Sequence, residues 1–337
     1  MTRAIVAGAG VAGLTCALAL AERGCDVEVH ERSEKLGADA CSRLAGGMLA
    51  PWCELESAEP IVATLGAEAI AYWQARHPGT LQQGSLVLAQ GRDLPELDRF
   101  ARRTQEFERV DGARIAALEP ALAGRFHHGL FFPREAHLDP RQALPSLARR
   151  LQEGGGRILF GREAPVPDAI PAGADILVDC RGLAARDRLA DLRGVKGEMV
   201  MIRSHEIALT RPVRLLHPRL PFYIVPRGDG LYMVGATTIE SDDRRRITAQ
   251  SLMELLNAAY ALHPAFAQAE IVEIGSDARP AFPNNLPRIR RQGATISVNG
   301  LYRHGFLLAP AMARLAADVA LDNTFYPEIM DEDHAQR

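Results

Sequence analysis

Apolar runs and glycines alternate along the first thirty residues in an order typical of a strand, a turn and a helix. Arg3–Ala7 is a short apolar run that predicts a buried strand. Beyond a glycine-rich turn, apolar residues recur at helical spacing as far as Gly24, which we expect to end the helix. A second strand is predicted over Val27–His30 and ends at Glu31.

The same alternation returns in the middle of the chain. Asp139 and Pro140 predict the start of a helix that continues to Leu151. Strands are predicted over Arg157–Phe160 and Ala174–Cys180. Because strands and helices alternate here as they do at the amino terminus, we expect all of these strands to share one parallel sheet.

Other segments are rich in strands without intervening helices. The strand candidates are Gly84–Ala89, Glu198–Ile202, Phe222–Val225 and Leu231–Val234. The last two flank Gly228-Asp229-Gly230, which predicts a β-hairpin. A final strand over Ala294–Val298 precedes a helix that we expect to begin near Pro310.

The composition is that of a globular chain with enough length for two domains, since 47% of 337 residues are hydrophobic and 24% are charged. A net charge of -3 gives no basic surface for nucleic acid. We interpret Arg244–Arg246 and Arg288–Arg291 as solvated loop charges. The five cysteines include no Cys-x-x-Cys pair, so we expect a reducing cytoplasm, no disulfide framework and no metal site.

One alternative for the amino terminus stays open. Arg3 followed by the apolar run Ala4–Leu20 could also be a signal peptide. Regularly spaced glycines and the second strand, which ends in an acid, favour a folded nucleotide site instead. No later segment has the length of uncharged residues that a membrane span requires, so no membrane partner is expected.

The glycines after the first strand form a complete G-x-G-x-x-G, Gly8 to Gly13. Gly8 permits the tight turn, Gly10 lets the backbone approach a pyrophosphate, and Gly13 lets helix and strand pack closely. The helix amino terminus then offers N–H groups and a positive dipole end to the phosphates. Glu31 is positioned to accept hydrogen bonds from ribose hydroxyls and would repel a 2′-phosphate.

Four segments together resemble the glycine oxidases of thiamine biosynthesis, within the D-amino-acid oxidase family of FAD-dependent oxidoreductases. The resemblance covers nearly the whole chain. The segments are Gly8–Glu31, Ala45–Pro51, Tyr223–Arg227 with Val234–Thr237, and Gly300–Pro310. The second and fourth segments are the most specific, and they separate the chain from a general Rossmann dehydrogenase.

The resemblance implies non-covalent FAD, because no cysteine follows Cys180 to form a thioether link from the carboxy-terminal half. Backbone N–H groups of Arg303–Leu307 could stabilise negative charge on reduced flavin. The expected cofactor-binding residues are Gly8, Gly10, Val11, Ala12, Gly13, Glu31, Arg32, Ser42, Arg43, Ala45, Gly46, Gly47, Met48, Gly182, Arg303, His304, Gly305, Phe306 and Leu307.

The same resemblance implies a site for a small amino acid. The family's substrate arginine falls on Arg279, whose planar guanidinium can hold a carboxylate with two parallel hydrogen bonds. Tyr223 matches a tyrosine that helps hold this carboxylate. Met48 and Thr238 match the pocket wall, and Arg303 matches an arginine near the mouth. No residue is identified as a catalytic base.

The reaction implied is oxidative deamination of glycine or another small amino acid through an imine to glyoxylate, ammonia and hydrogen peroxide. Hand-over of the imine to a thiazole synthase and self-association into a homo-oligomer stay open. One rival is a D-amino-acid or secondary-amine dehydrogenase or oxidase of the same fold that uses an acceptor other than oxygen. Another is a flavin-binding protein without activity.

The expected fold class is α/β, a Rossmann-like FAD-binding domain with an interleaved antiparallel-sheet substrate domain. The FAD-binding domain is predicted to be discontinuous, over 1–53, 136–205 and 276–322. The substrate domain is predicted over 54–135 and 206–275. Residues 323–337 are predicted to form a tail.

Overall fold

A computed structural model describes residues 1–164, 170, 173–217 and 222–331 of the protein. The α-helices are α1 Val11–Glu22, α2 Pro51–Glu54, α3 Pro60–Gly66, α4 Ala69–Arg76, α5 Leu94–Arg103, α6 Gly112–Leu118, α7 Pro140–Glu153, α8 Ala249–Leu262 and α9 Gly305–Asp322. The strands are β1 Arg3–Ala7, β2 Asp26–Glu31, β3 Met48–Leu49, β4 Ser85–Ala89, β5 Glu108–Asp111, β6 His128–Phe132, β7 Ala136–His137, β8 Arg157–Phe160, β9 Ile176–Asp179, β10 Arg193–Arg203, β11 Val213–Leu216, β12 Phe222–Pro226, β13 Leu231–Gly235, β14 Ile239–Glu240, β15 Glu270–Ala281, β16 Arg288–Gln292 and β17 Thr295–Asn299.

The amino-terminal strand lies inside a six-stranded sheet of order β16-β17-β9-β1-β2-β8. Strands β1, β2, β8 and β9 pair in parallel, as the alternation of helices and strands predicts, and β17 also runs parallel to β9. Only β16 in this sheet runs antiparallel to its neighbour. The apolar residues of β1 and α1 are buried, and this segment therefore belongs to the core of the fold.

A larger sheet has the order β14-β10-β13-β12-β11-β4-β6-β5, and β15 pairs with the other edge of β10. The hairpin predicted around Gly228-Asp229-Gly230 is confirmed by antiparallel pairing of β12 with β13. Pairing is antiparallel except between β4 and β11, which run parallel. These two strands are far apart in sequence, so no turn signal fixes their relative direction. The predicted α/β fold class is confirmed.

Strand β10 is longer than the predicted strand Glu198–Ile202 and pairs along its whole length with β15. Both strands belong to the larger sheet, although the predicted boundaries assign 193–205 and 276–281 to the FAD-binding domain. Hydrophobic periodicity identifies a strand but not its partners, which explains the difference. The division into two domains stays a prediction.

The carboxy-terminal residues depart from the predicted tail and loop. Arg288–Arg291 lies in strand β16, and Arg288 and Arg290 pair with Asp331. Ile329 is buried and Met330 bridges to Ile289. Residues 323–331 therefore pack on β16, whereas residues 332–337 of the predicted tail lie outside the described residues. Arg244–Arg246 lies in an exposed loop, as predicted, but Arg244 pairs with the buried carboxylate of Asp277 and is not simply a solvated charge.

Helix α9 begins five residues before the predicted start and contains Pro310 in its interior. Proline has no N–H with which to pair the carbonyl of Phe306. The indole Nε1 of Trp73 donates to this carbonyl over 2.8 Å and so replaces the missing bond. Residues Tyr302–Asp322 are long and apolar enough to cross a membrane by length and composition, but 72% of their apolar window is buried within the protein.

We expect Trp73→Phe to lower the free energy of unfolding by about 1–3 kcal/mol, since it leaves the buried Phe306 carbonyl without a donor. Trp52→Phe is the matched control, because it removes the same atoms from a half-buried indole that packs under Arg134. Urea denaturation of both variants measures the difference. Equal losses would show that the bond to Phe306 does not stabilise the helix.

Candidate active site

One continuous cavity of about 710 Å³ is lined by residues of both large sheets. All five residues predicted to bind substrate line it: Met48, Tyr223, Thr238, Arg279 and Arg303. Most of the predicted cofactor residues line it as well: Gly8, Gly10, Val11, Ala12, Glu31, Arg32, Ser42, Ala45, Gly46, Gly182, Gly305 and Phe306. The fold therefore brings distant parts of the chain to one site.

Two of the predicted glycines lie behind the cavity wall. A Cβ atom at Gly13 would lie 1.8 Å from the carbonyl oxygen of Gly8, so only glycine allows this contact between helix and strand. A Cβ atom at Gly47 would lie 2.2 Å from the Leu138 oxygen, and Gly47 has a positive φ of 66°. Both glycines shape the wall without lining it.

Three further predicted cofactor residues are directed elsewhere. Arg43 pairs with Glu273 outside the main cavity. The ring of His304 is bonded to Glu54 over 2.8 Å, and the Leu307 side chain packs against Gly66. The structure does not bring these three side chains to the cavity surface.

The glycine loop is held by the carboxylate of Glu31. Its oxygens accept from the N–H of Ala9 at 2.7 Å, and from the N–H and hydroxyl of Ser33 at 3.0 and 2.6 Å. The Ser42 hydroxyl accepts from the N–H of Val11 at 3.2 Å. A glycine turn, a helix amino terminus and an acid after the second strand fit the pyrophosphate and ribose of FAD.

Arg227 fixes the loop that leads into β3. Its buried guanidinium donates to the carbonyl oxygens of Gly46 and Leu138, each at 2.8 Å. Burial lowers the pKa of Arg227 to about 10. A Cβ atom at Gly46 would lie 2.9 Å from the Tyr223 ring, so this glycine lets the loop pack on Tyr223. Arg227 lies in Tyr223–Arg227, a segment that carries the family resemblance, but no role is predicted for it from the sequence.

Arg279 is a deeply placed cation without an acidic partner among the described residues. Its guanidinium donates to the carbonyl oxygens of Thr237 at 3.2 Å and Lys196 at 3.5 Å. Burial lowers the pKa of Arg279, and the part of the side chain that stays accessible faces the cavity. An anionic ligand in the cavity would supply the missing charge.

Gly197 makes the position of Arg279 possible. A Cβ atom at Gly197 would lie 2.1 Å from Nη2 of Arg279, so the guanidinium lies directly over this glycine. Gly197 is not among the site residues expected from the sequence. A glycine inside a strand marks a close approach of another group, and this is the signal that could have found it.

Glu54 is a second charged group in the cavity wall that is not among the residues expected from the sequence. The buried carboxylate of Glu54 contacts Arg214, Nε2 of His304 at 2.8 Å and Nη2 of Arg303 at 3.5 Å. Burial alone would raise the pKa of Glu54, but Arg214 and Arg303 together hold it well below its usual range. Glu54 is therefore a carboxylate at neutral pH.

Two other cavity features bear on the chemistry. Burial raises the pKa of the Cys41 thiol to about 11, so this thiol stays protonated at neutral pH. No group of three or more histidine, cysteine, aspartate or glutamate side chains within the described ranges could hold a metal ion. The arrangement supplies cationic and hydrogen-bonding groups around a long cavity.

We expect Glu31→Ala to weaken FAD binding by about 1–3 kcal/mol, since it removes the acceptor of both the glycine loop and the expected ribose contact. Glu28→Ala is the control, because Glu28 lies in the same strand but bonds to His30 and Arg157. Fluorescence titration of the apoprotein with FAD gives both dissociation constants. An unchanged constant for Glu31→Ala would exclude the ribose contact.

The comparisons with known proteins agree with this geometry. The family described as FAD dependent oxidoreductase (DAO) matches residues 3–319. A protein of Rhizobium etli named as a thiamine biosynthesis oxidoreductase, ThiO, is 56% identical over 97% of this chain and 98% of its own length. A bifunctional ThiO/ThiG protein of Synechocystis is 28% identical over 96% of this chain, which spans 52% of that protein.

Glycine oxidase of Geobacillus kaustophilus is 27% identical over 93% of this chain and 91% of its own length. A solved structure of glycine oxidase from the same organism has a TM-score of 0.80 and 24% identity, and covers 97% of this chain and 96% of that one. The expected cofactor is confirmed as FAD. The chain belongs to the DAO family of FAD-dependent oxidoreductases.

Proposed function

We propose that this enzyme oxidises glycine or another small amino acid, with oxygen as the electron acceptor. The observation that carries the proposal is the Arg279 guanidinium, which lies in the cavity wall without a carboxylate partner among the described residues. Arg279 offers N–H groups in a planar fork, and an amino-acid carboxylate accepts two of them in parallel. This contact, the carboxylate clamp, places the α-carbon of the substrate at a fixed distance from the Arg279 guanidinium.

The environment of Arg279 supports this assignment. Its carbonyl partners at Thr237 and Lys196 orient the guanidinium but leave its charge uncompensated. Burial lowers the pKa of Arg279, and the nearby Tyr223 partly offsets this by raising it. The phenol is half-buried and lines the same cavity, so it is available to donate to a bound carboxylate. Charge and geometry both favour a ligand with a carboxylate.

When bound, FAD supplies the two-electron oxidation that converts an amine to an imine. The protein's part is to bind and orient the substrate, which accounts for a large share of such catalysis. Glu54 is held as a carboxylate by its cationic partners and is a weak base, and the Cys41 thiol stays protonated. Neither side chain suits the role of proton acceptor, so we propose that the neutral amine is the form that reacts.

Hydrolysis of the imine would give glyoxylate and ammonia. The names of the Rhizobium and Synechocystis relatives support a place in thiamine synthesis, with the imine passing to a thiazole synthase. We further propose a cytoplasmic location and self-association into a homo-oligomer. A dehydrogenase with another electron acceptor is the alternative, and release of hydrogen peroxide in air separates the two.

The clamp is tested with Arg279→Ala. Removal of the guanidinium leaves the substrate carboxylate unpaired, so the transition state should lose about 2–5 kcal/mol of stabilisation. The kcat/KM for glycine should therefore fall roughly thirtyfold to several thousandfold. Arg279→Lys keeps the charge without the planar fork and should recover only part of this loss. Steady-state rates are measured with FAD at saturation.

Amines without a carboxylate provide the control for this experiment. Their oxidation should be far less affected by either substitution, because they make no contact with the clamp. A structural arginine would behave differently, since its loss would reduce the rates of all substrates alike and would lower FAD retention. Equal losses for glycine and for amines without a carboxylate would exclude Arg279 as the clamp.

A further inference from the structure

Two of the guanidinium groups that line the cavity, those of Arg279 and Arg303, differ in how their charge is compensated. Arg279 has carbonyl partners only, within the part of the chain that is described. Arg303 has 33% of its side chain exposed and contacts the carboxylate of Glu54 at 3.5 Å. No other acidic group of the described chain lies within ion-pair distance of Arg303. Glu54 is therefore its counter-charge.

Glu54 is well placed to hold this charge. It lies at the end of α2, is 7% exposed, and its carboxylate is bound from three sides. Arg214 and His304 fix its two oxygens, and Arg303 makes the longest of the three contacts. Arg214 and His304 therefore anchor the Glu54 carboxylate, and the more exposed Arg303 guanidinium depends on that carboxylate.

Arg214 makes the shortest of the three contacts with Glu54. The carboxyl of Glu135 is a second acidic neighbour of Arg214, and burial raises the pKa of Glu135 to about 7. Glu135 accepts from the N–H of Cys53 at 2.8 Å, on the chain immediately before Glu54. Near neutral pH Glu135 therefore carries only part of a negative charge, and Glu54 is the main counter-charge of both Arg214 and Arg303. Burial and then the nearby charge of Arg303 lower the pKa of Arg279, so the two guanidinium groups lie close enough to influence each other.

We propose that Glu54 is a specificity-determining positioning residue, which pairs with and holds Arg303 so that the site accepts one carboxylate, at Arg279. The inference rests on the proposed function, since it takes the carboxylate clamp as given. An uncompensated Arg303 would offer a second anion site in the same cavity. The Glu54 carboxylate occupies that position from within the protein and thereby excludes substrates with a second carboxylate.

The test compares the binding of two simple ligands to the oxidised, FAD-loaded enzyme. Acetate carries one carboxylate and malonate carries two, and each is titrated while the flavin absorbance is followed. The wild type should bind acetate and show no preference for malonate. In Glu54→Gln, the affinity for malonate relative to acetate should rise about tenfold or more, because Arg303 gains a free charge-assisted donor set.

Two further variants show whether a change in the ratio of malonate to acetate affinity arises at Arg303. Glu68→Gln is the control, since Glu68 pairs with Arg314 outside the cavity, and the ratio should stay at the wild-type value. The double variant Glu54→Gln/Arg303→Met removes the second guanidinium and should return the ratio to that value. A purely structural effect of Glu54 would change both affinities alike and leave the ratio unchanged.

An unchanged ratio in a folded, FAD-containing Glu54→Gln variant would overturn this inference while leaving the clamp intact. Absence of acetate binding to the wild type would overturn the clamp and the inference together. If Glu54→Gln does not retain FAD, Glu54→Asp provides the test, because it keeps the charge but withdraws it from Arg303. The ratio should then rise by a smaller factor, about twofold or more, and an unchanged ratio would again overturn the inference.

Discussion

The half-buried guanidinium of Arg279 is the group around which the cavity is organised. A guanidinium in a dry environment is costly unless hydrogen bonds and an opposite charge compensate it. The fold provides the hydrogen bonds, from the carbonyl oxygens of Thr237 and Lys196, and leaves the charge to a ligand. This arrangement requires β10 and β15 to pair so that Arg279 lies over Gly197.

Glycines keep the cofactor end of the same cavity accessible. At Gly13 and Gly47 a single Cβ atom would overlap a backbone oxygen, so the close approach of helix, strand and loop depends on its absence. Arg227 holds the second loop from behind through the carbonyls of Gly46 and Leu138. At the nucleotide end, Glu31 and Arg227 hold backbone groups of the loops, whereas at the substrate end the Arg279 guanidinium faces the ligand.

Local signals predicted a large part of this structure. Gly8–Gly13 and Glu31 are recognisable because their roles depend on short, fixed spacing, and Arg279 because it matches the family's substrate arginine. Contacts between distant segments were not predictable. Glu54 contacts Arg303 across 249 positions of sequence, and the Trp73 indole reaches the Phe306 carbonyl across 233. Such contacts follow from strand pairing and packing, on which hydrophobic periodicity carries no information.

The central claim is that a single carboxylate clamp beside FAD selects small amino acids. The most direct measurement is an anaerobic titration of the flavin absorbance with glycine, sarcosine and bulky L-amino acids, followed by admission of air and assay of hydrogen peroxide. The account predicts that glycine and sarcosine bleach the flavin, that bulky L-amino acids do not, and that peroxide forms in air. Bleaching by a bulky L-amino acid in preference to glycine, or no bleaching by glycine, would contradict it.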